Sequence, residues 1–507
     1  MVSKTFSGAV SGVSGHVVNV EVDLSPGLPS FDIVGLPDSG VRESKERVRT
    51  AIKNSGFDFP VRRITINLAP ADIKKEGPSF DLPIAACILA CTDILPLNRI
   101  EKIFFAGELS LDGCLRPVSG ILPMVHGAFL NGIKACIVPF ENAEEAALVS
   151  GINVYAVKNL AELAENFKNN KFTRVTAGLG TVTSKGGSDN ADFSDVVGQE
   201  GVKRALTVAA AGAHNILMVG PPGSGKTMMA KRVPTILPPL SFNESIEVTK
   251  IYSVAGLVKE KDSLIRKRPF RSPHHTTSYS ALTGGGRIPK PGEISLAHNG
   301  VLFLDEFPEF SRNVLEALRQ PLEDRQITVA RTGQTVTYPS SFMLVASMNP
   351  CPCGHLGNPE KCFCTEGEIY KYQSKISGPL MDRIDIVTEA AAVNYKELGT
   401  NESSETSAQI LDKVQKAREI QTRRYVNEKI TCNSELSARG IQKYCKLTGK
   451  AQELLKQAFE NLNLSARAYH KILKLARTIA DLNGDSPINE IHVAEAVGYR
   501  SFDAKGR

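Results

Sequence analysis

The chain has 507 residues, 42% of them hydrophobic, and 60 Lys and Arg against 54 Asp and Glu. That length suits about three domains with large cores, and no apolar run approaches the roughly 20 residues of a membrane span. Met1-Val2-Ser3-Lys4-Thr5-Phe6 has neither the apolar core nor the cleavage site of a signal peptide. The expected compartment is therefore the cytoplasm, where ten cysteines are thiols or metal ligands rather than a disulfide framework.

Charge is unevenly placed: residues 1–178 carry 18 basic and 19 acidic side chains, residues 401–507 carry 18 and 13. A basic C-terminal surface can attract nucleic acid. It can equally be an ordinary solvated helical face, and charge alone favours that reading.

Residues 1–178 read as an α/β domain. Val17 to Leu24 alternates like a half-buried strand, and Phe31 to Leu36, Arg63 to Leu68 and Ala135 to Pro139 are further strands. Ser39 to Asn54 is a charged helix stopped near Gly56, and Asp81 to Ala90 is an apolar one. Through Lys75-Glu76-Gly77-Pro78-Ser79, Ala106 to Gly113 and Gly132-Ile133-Lys134 the region resembles the protease domain of the Lon family. The resemblance puts Ser79 at the nucleophile's position and the family's lysine base near Gly120-Ile121-Leu122-Pro123-Met124, which contains no Lys. A serine hydroxyl without a base is a poor nucleophile at neutral pH, so the expectation is a protease fold without protease chemistry and a structural Ser79.

Residues 179–192 are rich in Gly, Ser, Thr and Asp and read as a linker. The stretch that organises the rest comes next. Asn215 to Val219 is a buried-strand run, followed by Gly220-Pro221-Pro222-Gly223-Ser224-Gly225-Lys226-Thr227 and a helix start. This is a phosphate-binding loop in the strand–loop–helix context that motif needs. Glycines let backbone N–H groups approach phosphate oxygens, and the helix N-terminus adds positive potential. Lys226 can reach the β/γ-phosphates of ATP and Thr227 can hold Mg²⁺. Val301 to Leu304 is a second buried strand, ending in Asp305-Glu306. That pair suits an Mg²⁺ partner (Asp305) and a base for the attacking water (Glu306). Ser341 to Ser347 is a third strand ending in Met348-Asn349, where a polar side chain can orient that water.

These segments, with Asp195 to Glu200 ahead of them, resemble the AAA+ family. Arg271-Ser272-Pro273-His274-His275, Gly284-Gly285-Gly286-Arg287, Pro291 to Gly300 and Asp382-Arg383-Ile384-Asp385 are similar to its magnesium-chelatase-like branch. With the Lon-like domain in front, the whole resembles the ComM/YifB family of bacterial helicases associated with natural transformation. The implied layout is a Lon-like domain (1–178), the linker, a P-loop core with parallel sheet (193–395) and a helical lid (396–507). In that lid Ser407 to Val426, Ala451 to Asn461 and Leu464 to about Leu482 are helices, and Ser486-Pro487 starts the last one. By resemblance Asn349 is sensor 1, Arg467 is sensor 2, and Arg383 is an arginine finger reaching a neighbouring subunit's ATP. The plainer readings are an exposed helical Arg467 and an Arg383 paired with Asp382 or Asp385.

Cys351-Pro352-Cys353-Gly354-His355 and Cys362-Phe363-Cys364 set four thiols in 14 residues. They suit tetrahedral zinc or remain reduced thiols; an extended C-x-C points its side chains apart unless the chain bends. Ile327 to Thr337 and Gly286 to Gly292 both read as hairpins projecting from the core, the first with Arg331 near its tip and the second carrying Arg287 and Lys290. Gathered in a ring of six, such tips would grip DNA phosphates without reading bases; otherwise they are surface loops. The expected function is an ATP-driven ring motor on single-stranded and branched DNA, a helicase for branch migration in recombination. The alternatives are a chelatase-type motor or a protein remodeller without DNA.

Overall fold

The computed structural model describes residues 1–176, 191–258, 264–286, 289–331, 334–391, 405–428, 430–462 and 464–500. Most of the expected linker, Arg287 and the 396–404 junction lie outside these residues, and Arg331 is described for its backbone alone. The chain forms two compact units: 1–185 with 241–266 and 289–291, and 186–240 with 267–288 and 292–507.

The first unit is built on eight strands: β1 (Val2–Ser11), β2 (Ser14–Ser25), β3 (Ser30–Val34), β4 (Arg63–Ala69), β5 (Phe104–Phe105), β6 (Ala135–Pro139), β7 (Asn153–Val157) and β8 (Arg174–Val175). Their order is β8-β7-β6-β5-β1-β2-β4-β3. β1 and β2 form an antiparallel hairpin, with Ser11 paired to Ser14 at its tip. The period-2 pattern puts Val18, Val20, Val22 and Leu24 in the core. One face is covered by the helix Asp81–Cys91, buried at every position. The helix Ile121–Leu130 also packs against the sheet, and it comes so close that a Cβ on Gly15 would lie 1.9 Å from the Pro123 carbonyl oxygen. The sequence boundary at 178 assigns the helix Phe242–Ala255 to the ATPase core; in the structure it belongs to the first unit. Ser241 and Glu244 form its capping box, Ile246 packs on the core beneath, and the Gly120 amide donates to the Ser253 carbonyl at 3.0 Å.

The second unit contains β9 (Ile216–Val219), β10 (Phe270–Arg271), β11 (Val301–Leu304), β12 (Gln326–Arg331), β13 (Gln334–Pro339), β14 (Met343–Met348) and β15 (Ile386–Glu389). Five of them form a parallel sheet in the order β10-β11-β14-β9-β15. β9, β11 and β14 are buried throughout, as parallel strands covered on both faces must be. β12 and β13 are the expected hairpin, in register from Gln326–Pro339 to Arg331–Gln334.

C-terminal helices Ser407–Arg424, Gly449–Asn461, Ala466–Asn483 and Glu490–Gly498 share one core with the sheet. The last does not start at Ser486-Pro487. The Ile488 amide donates to the Lys446 carbonyl and the Ile488 carbonyl accepts from Thr448, both at 2.9 Å, which holds that stretch extended. The helix begins only after Asn489, whose side chain accepts from the Ile491 and His492 amides.

Candidate active site

Parallel strands end at one edge of their sheet, and connections leaving that edge carry ligand groups in open α/β folds. In the second unit β9, β11 and β14 run in parallel into the phosphate loop, Asp305-Glu306 and Asn349 respectively. The loop closes through backbone no side chain would favour. Gly223 and Gly225 have φ of +78° and +83°, and a Cβ added at either meets nothing within 4 Å. The glycines are thus required by conformation, and they leave the loop open to a phosphate group.

Lys226 opens the helix Lys226–Arg232 and is 8% exposed. Its ammonium donates to the carbonyls of Gly220 (2.7 Å) and Pro221 (2.8 Å) and lies 3.4 Å from Asn349 Oδ1. Burial lowers its pKa. Thr227 Oγ1 donates to Asp305 Oδ2 at 2.7 Å, and the other Asp305 oxygen accepts from Ser347 Oγ and, at 3.1 Å, the Glu306 amide. Two oxygen donors of the kind Mg²⁺ prefers therefore stand side by side at the loop, and the residues present fit both ATP and its metal. Glu306 itself is exposed, at a left-handed φ of +51°, with Oε2 3.2 Å from His275 Nδ1.

The remaining residues have partners outside this cluster. Arg383 donates to the carbonyls of Arg319 (3.1 Å) and Pro379 (2.6 Å) and pairs with Glu323, rather than with Asp382 or Asp385. Arg467 is 70% exposed, 3.9 Å from Asp382. Lys471, one turn along the same helix, is half-buried against Asp385 (3.2 Å) and the Ile384 carbonyl (2.9 Å). Burial pushes the Asp385 carboxyl upward, but Lys471 and His214 outweigh it and hold it well below the usual range. Lid and core are thus tied at the segment carrying Arg383. Lys290 is exposed and belongs to the first unit.

The four cysteines do converge: their sulfurs all lie within 4.8 Å of one another. The chain bends as C-x-C requires, with the Gly354 amide donating to the Cys351 carbonyl at 3.0 Å and Gly354 at φ +82°. The His355 backbone amide is the main influence drawing the Cys353 thiol down to about 7.

Sequence reasoning assigned no role to His275, Ser347 or Lys471. His275 stood inside a quoted motif, yet nothing in a sequence says which of two adjacent imidazoles will face a carboxylate.

A glycine loop at the end of one parallel strand, an acidic pair on the next but one and a polar strand end between them define an AAA+ P-loop ATPase. Residues 192–398 match the family described as magnesium chelatase, subunit ChlI; 20–142 match one described as subunit ChlI of Mg-chelatase and 404–500 one described as magnesium chelatase, subunit ChlI C-terminal. The chain is 44% identical to the competence protein ComM of Haemophilus influenzae over 98% of this chain and 97% of that one. It is 43% identical to the uncharacterized protein YifB of Escherichia coli (98% and 96%), and 28% identical to Lon protease 2 of Bacillus subtilis over 30% of each chain. The chain belongs to the ComM/YifB family of magnesium-chelatase-like AAA+ proteins, with a Lon-like N-terminal region. Among the described residues no helix is long and apolar enough to cross a membrane.

Proposed function

We propose that this protein is an ATP-driven DNA motor, a cytoplasmic ring of six subunits that extends branches during recombination in natural transformation. The observation that carries the ATPase half is the meeting of Lys226, Thr227 and Asp305 at the open phosphate loop, with Glu306 exposed beside them. The DNA half is supported by near full-length similarity to a competence protein.

In this reading the backbone N–H groups of Gly223 to Thr227 cradle the phosphates and Lys226 turns from the loop carbonyls to the β/γ oxygens. Thr227 and Asp305 hold Mg²⁺, which neutralises phosphate charge when bound. Glu306, oriented by His275, takes a proton from the attacking water, and Asn349 positions that water. Arg383 leaves Glu323 to reach the neighbouring subunit's γ-phosphate, a cation worth roughly 10³–10⁵ in rate where such fingers are measured. Arg467 reports the nucleotide state to the lid. The cations Arg331, Arg287 and Lys290 grip the DNA backbone from the pore, and the four cysteines hold zinc.

The test is ATP hydrolysis with and without single-stranded or branched DNA. Stimulation several-fold is expected. Hydrolysis indifferent to DNA at low salt would favour the alternative of a chelatase-type motor or protein remodeller. Mixing Arg383→Ala with Lys226→Ala subunits should restore some turnover, since some interfaces regain both intact halves; no rescue at any ratio would count against a shared site.

A further inference from the structure

Between the end of β14 at Met348 and the helix Glu366–Gln373 the chain has no regular secondary structure. The stretch has no apolar core either: Leu356 is 45% exposed and Phe363 is 85% exposed. A segment of this length without a core needs a staple. The sulfur separations say which kind. Cys351, Cys353 and Cys362 lie 3.4, 3.8 and 3.6 Å apart, far from the ~2.05 Å of a disulfide. They are close to the ~3.8 Å edge of a tetrahedron with ~2.3 Å zinc–sulfur bonds.

The stapled loop touches the ATP site at two places. A Cβ on Gly354 would lie 2.6 Å from Cδ of Pro222, so the turn between the cysteine pairs sits directly on the phosphate loop. Cys351 follows Asn349 by two residues and is fully buried. On its other side Asn349 is bounded by the helix Glu366–Gln373: Gln373 Nε2 donates to the Pro350 carbonyl at 3.0 Å, and the buried Tyr372 hydroxyl meets the Asn349 amide.

We infer that Zn²⁺ held by Cys351, Cys353, Cys362 and Cys364 braces the ATP site, pressing Gly354 against Pro222 and fixing the backbone of Asn349, so that nucleotide affinity and turnover depend on a metal that touches no substrate. This deepens the reading of the site as an ATPase and rests on it. The four thiolates are ligands; Gly354 is a positioning residue. A catalytic group displaced by about 1 Å can cost on the order of 100-fold, so freeing this loop is expected to lower kcat at least tenfold and raise the KM for ATP several-fold.

The full-length protein, purified without added metal, is assayed for zinc by elemental analysis. Its zinc is then displaced with an organomercurial, Mg²⁺ being kept in excess. Binding of a fluorescent ADP and ATP turnover are read before displacement, after it, and after restoring thiol and Zn²⁺. About one zinc per chain, loss of affinity and turnover on displacement, and recovery on reloading are expected. Gly354→Ala keeps all four thiols; its zinc is measured in the same way, and in the zinc-loaded variant the KM for ATP should rise. Less than a tenth of an equivalent of zinc, with four thiols reacting freely in the native protein, overturns the metal. Full zinc with unchanged ADP affinity after displacement, or a Gly354→Ala variant with the wild-type KM, overturns the brace. Zinc-loaded protein that binds ADP but hydrolyses no ATP would instead overturn the ATPase reading, and the ADP affinities would still decide the brace.

Discussion

The two units carry comparable sets of polar residues and do opposite things with them. In the second unit Lys226, Thr227, Asp305 and Glu306 meet at the end of a parallel sheet, beside glycines that leave the loop open. In the first unit the ionisable side chains beside Ser79 in the sequence, Lys75 and Asp81, are buried. Asp81 is held by Arg47 (2.6 Å), by Ser44 and by the Leu109 amide (3.2 Å); Lys75 is fully buried against the Pro70 carbonyl. Where the Lon resemblance asks for a lysine, the helix Ile121–Leu130 presents Leu122, buried and apolar. Packing and catalysis place different demands on the same scaffold, so a fold alone does not carry a chemistry with it.

The largest effect that would sharpen this contrast is at Glu306. Glu306→Gln should bind ATP normally and lower turnover at least about 100-fold, since an amide takes no proton from water. Lys226→Ala should instead weaken nucleotide binding itself. Equilibrium binding and steady-state hydrolysis separate the two, and a Glu306→Gln enzyme turning over normally would mean that the base has been misassigned.

A smaller effect is expected at His275. His275→Ala removes the group 3.2 Å from Glu306, and kcat should fall about tenfold with KM for ATP little changed. A fall in binding without a fall in kcat would mean that His275 supports the fold, not the base.

The smallest concerns the first unit alone. Glu145 is buried, and burial pushes its pKa up to about 7. It accepts from the Leu122 amide at 3.2 Å. Because the folded pKa lies above the unfolded one, Glu145's contribution is fully present below about pH 4.3 and lost as pH rises through 7, by roughly 3 kcal/mol at most. Urea midpoints between pH 5 and 8 should therefore fall with pH more steeply for the wild type than for Glu145→Gln. Parallel profiles would contradict the assignment.

Much of this was legible from local patterns. Ser39–Asn54, β4, β6, β9, β11 and β14 follow the apolar periodicity of their own segments, and the phosphate loop, Asp305-Glu306 and Asn349 follow directly from strand ends. What was not legible depends on partners far away in sequence. The helix Phe242–Ala255 has ordinary caps and a weak apolar face, so only its contact with Ile121–Leu130 shows which unit owns it. Pro487 has the right chemistry to start a helix, but the pairing of Ile488 with Leu447 forbids it there. The convergence of the four cysteines needed a turn at Gly354 that spacing alone left undecided.

The most direct test of where the chemistry resides is strand displacement from a branched DNA by wild type, Ser79→Ala and Glu306→Gln side by side, with ATP and Mg²⁺. Wild type and Ser79→Ala should move the strand at equal rates and Glu306→Gln should not move it. Displacement by Glu306→Gln at the wild-type rate, or its loss in a folded Ser79→Ala protein, would contradict the account.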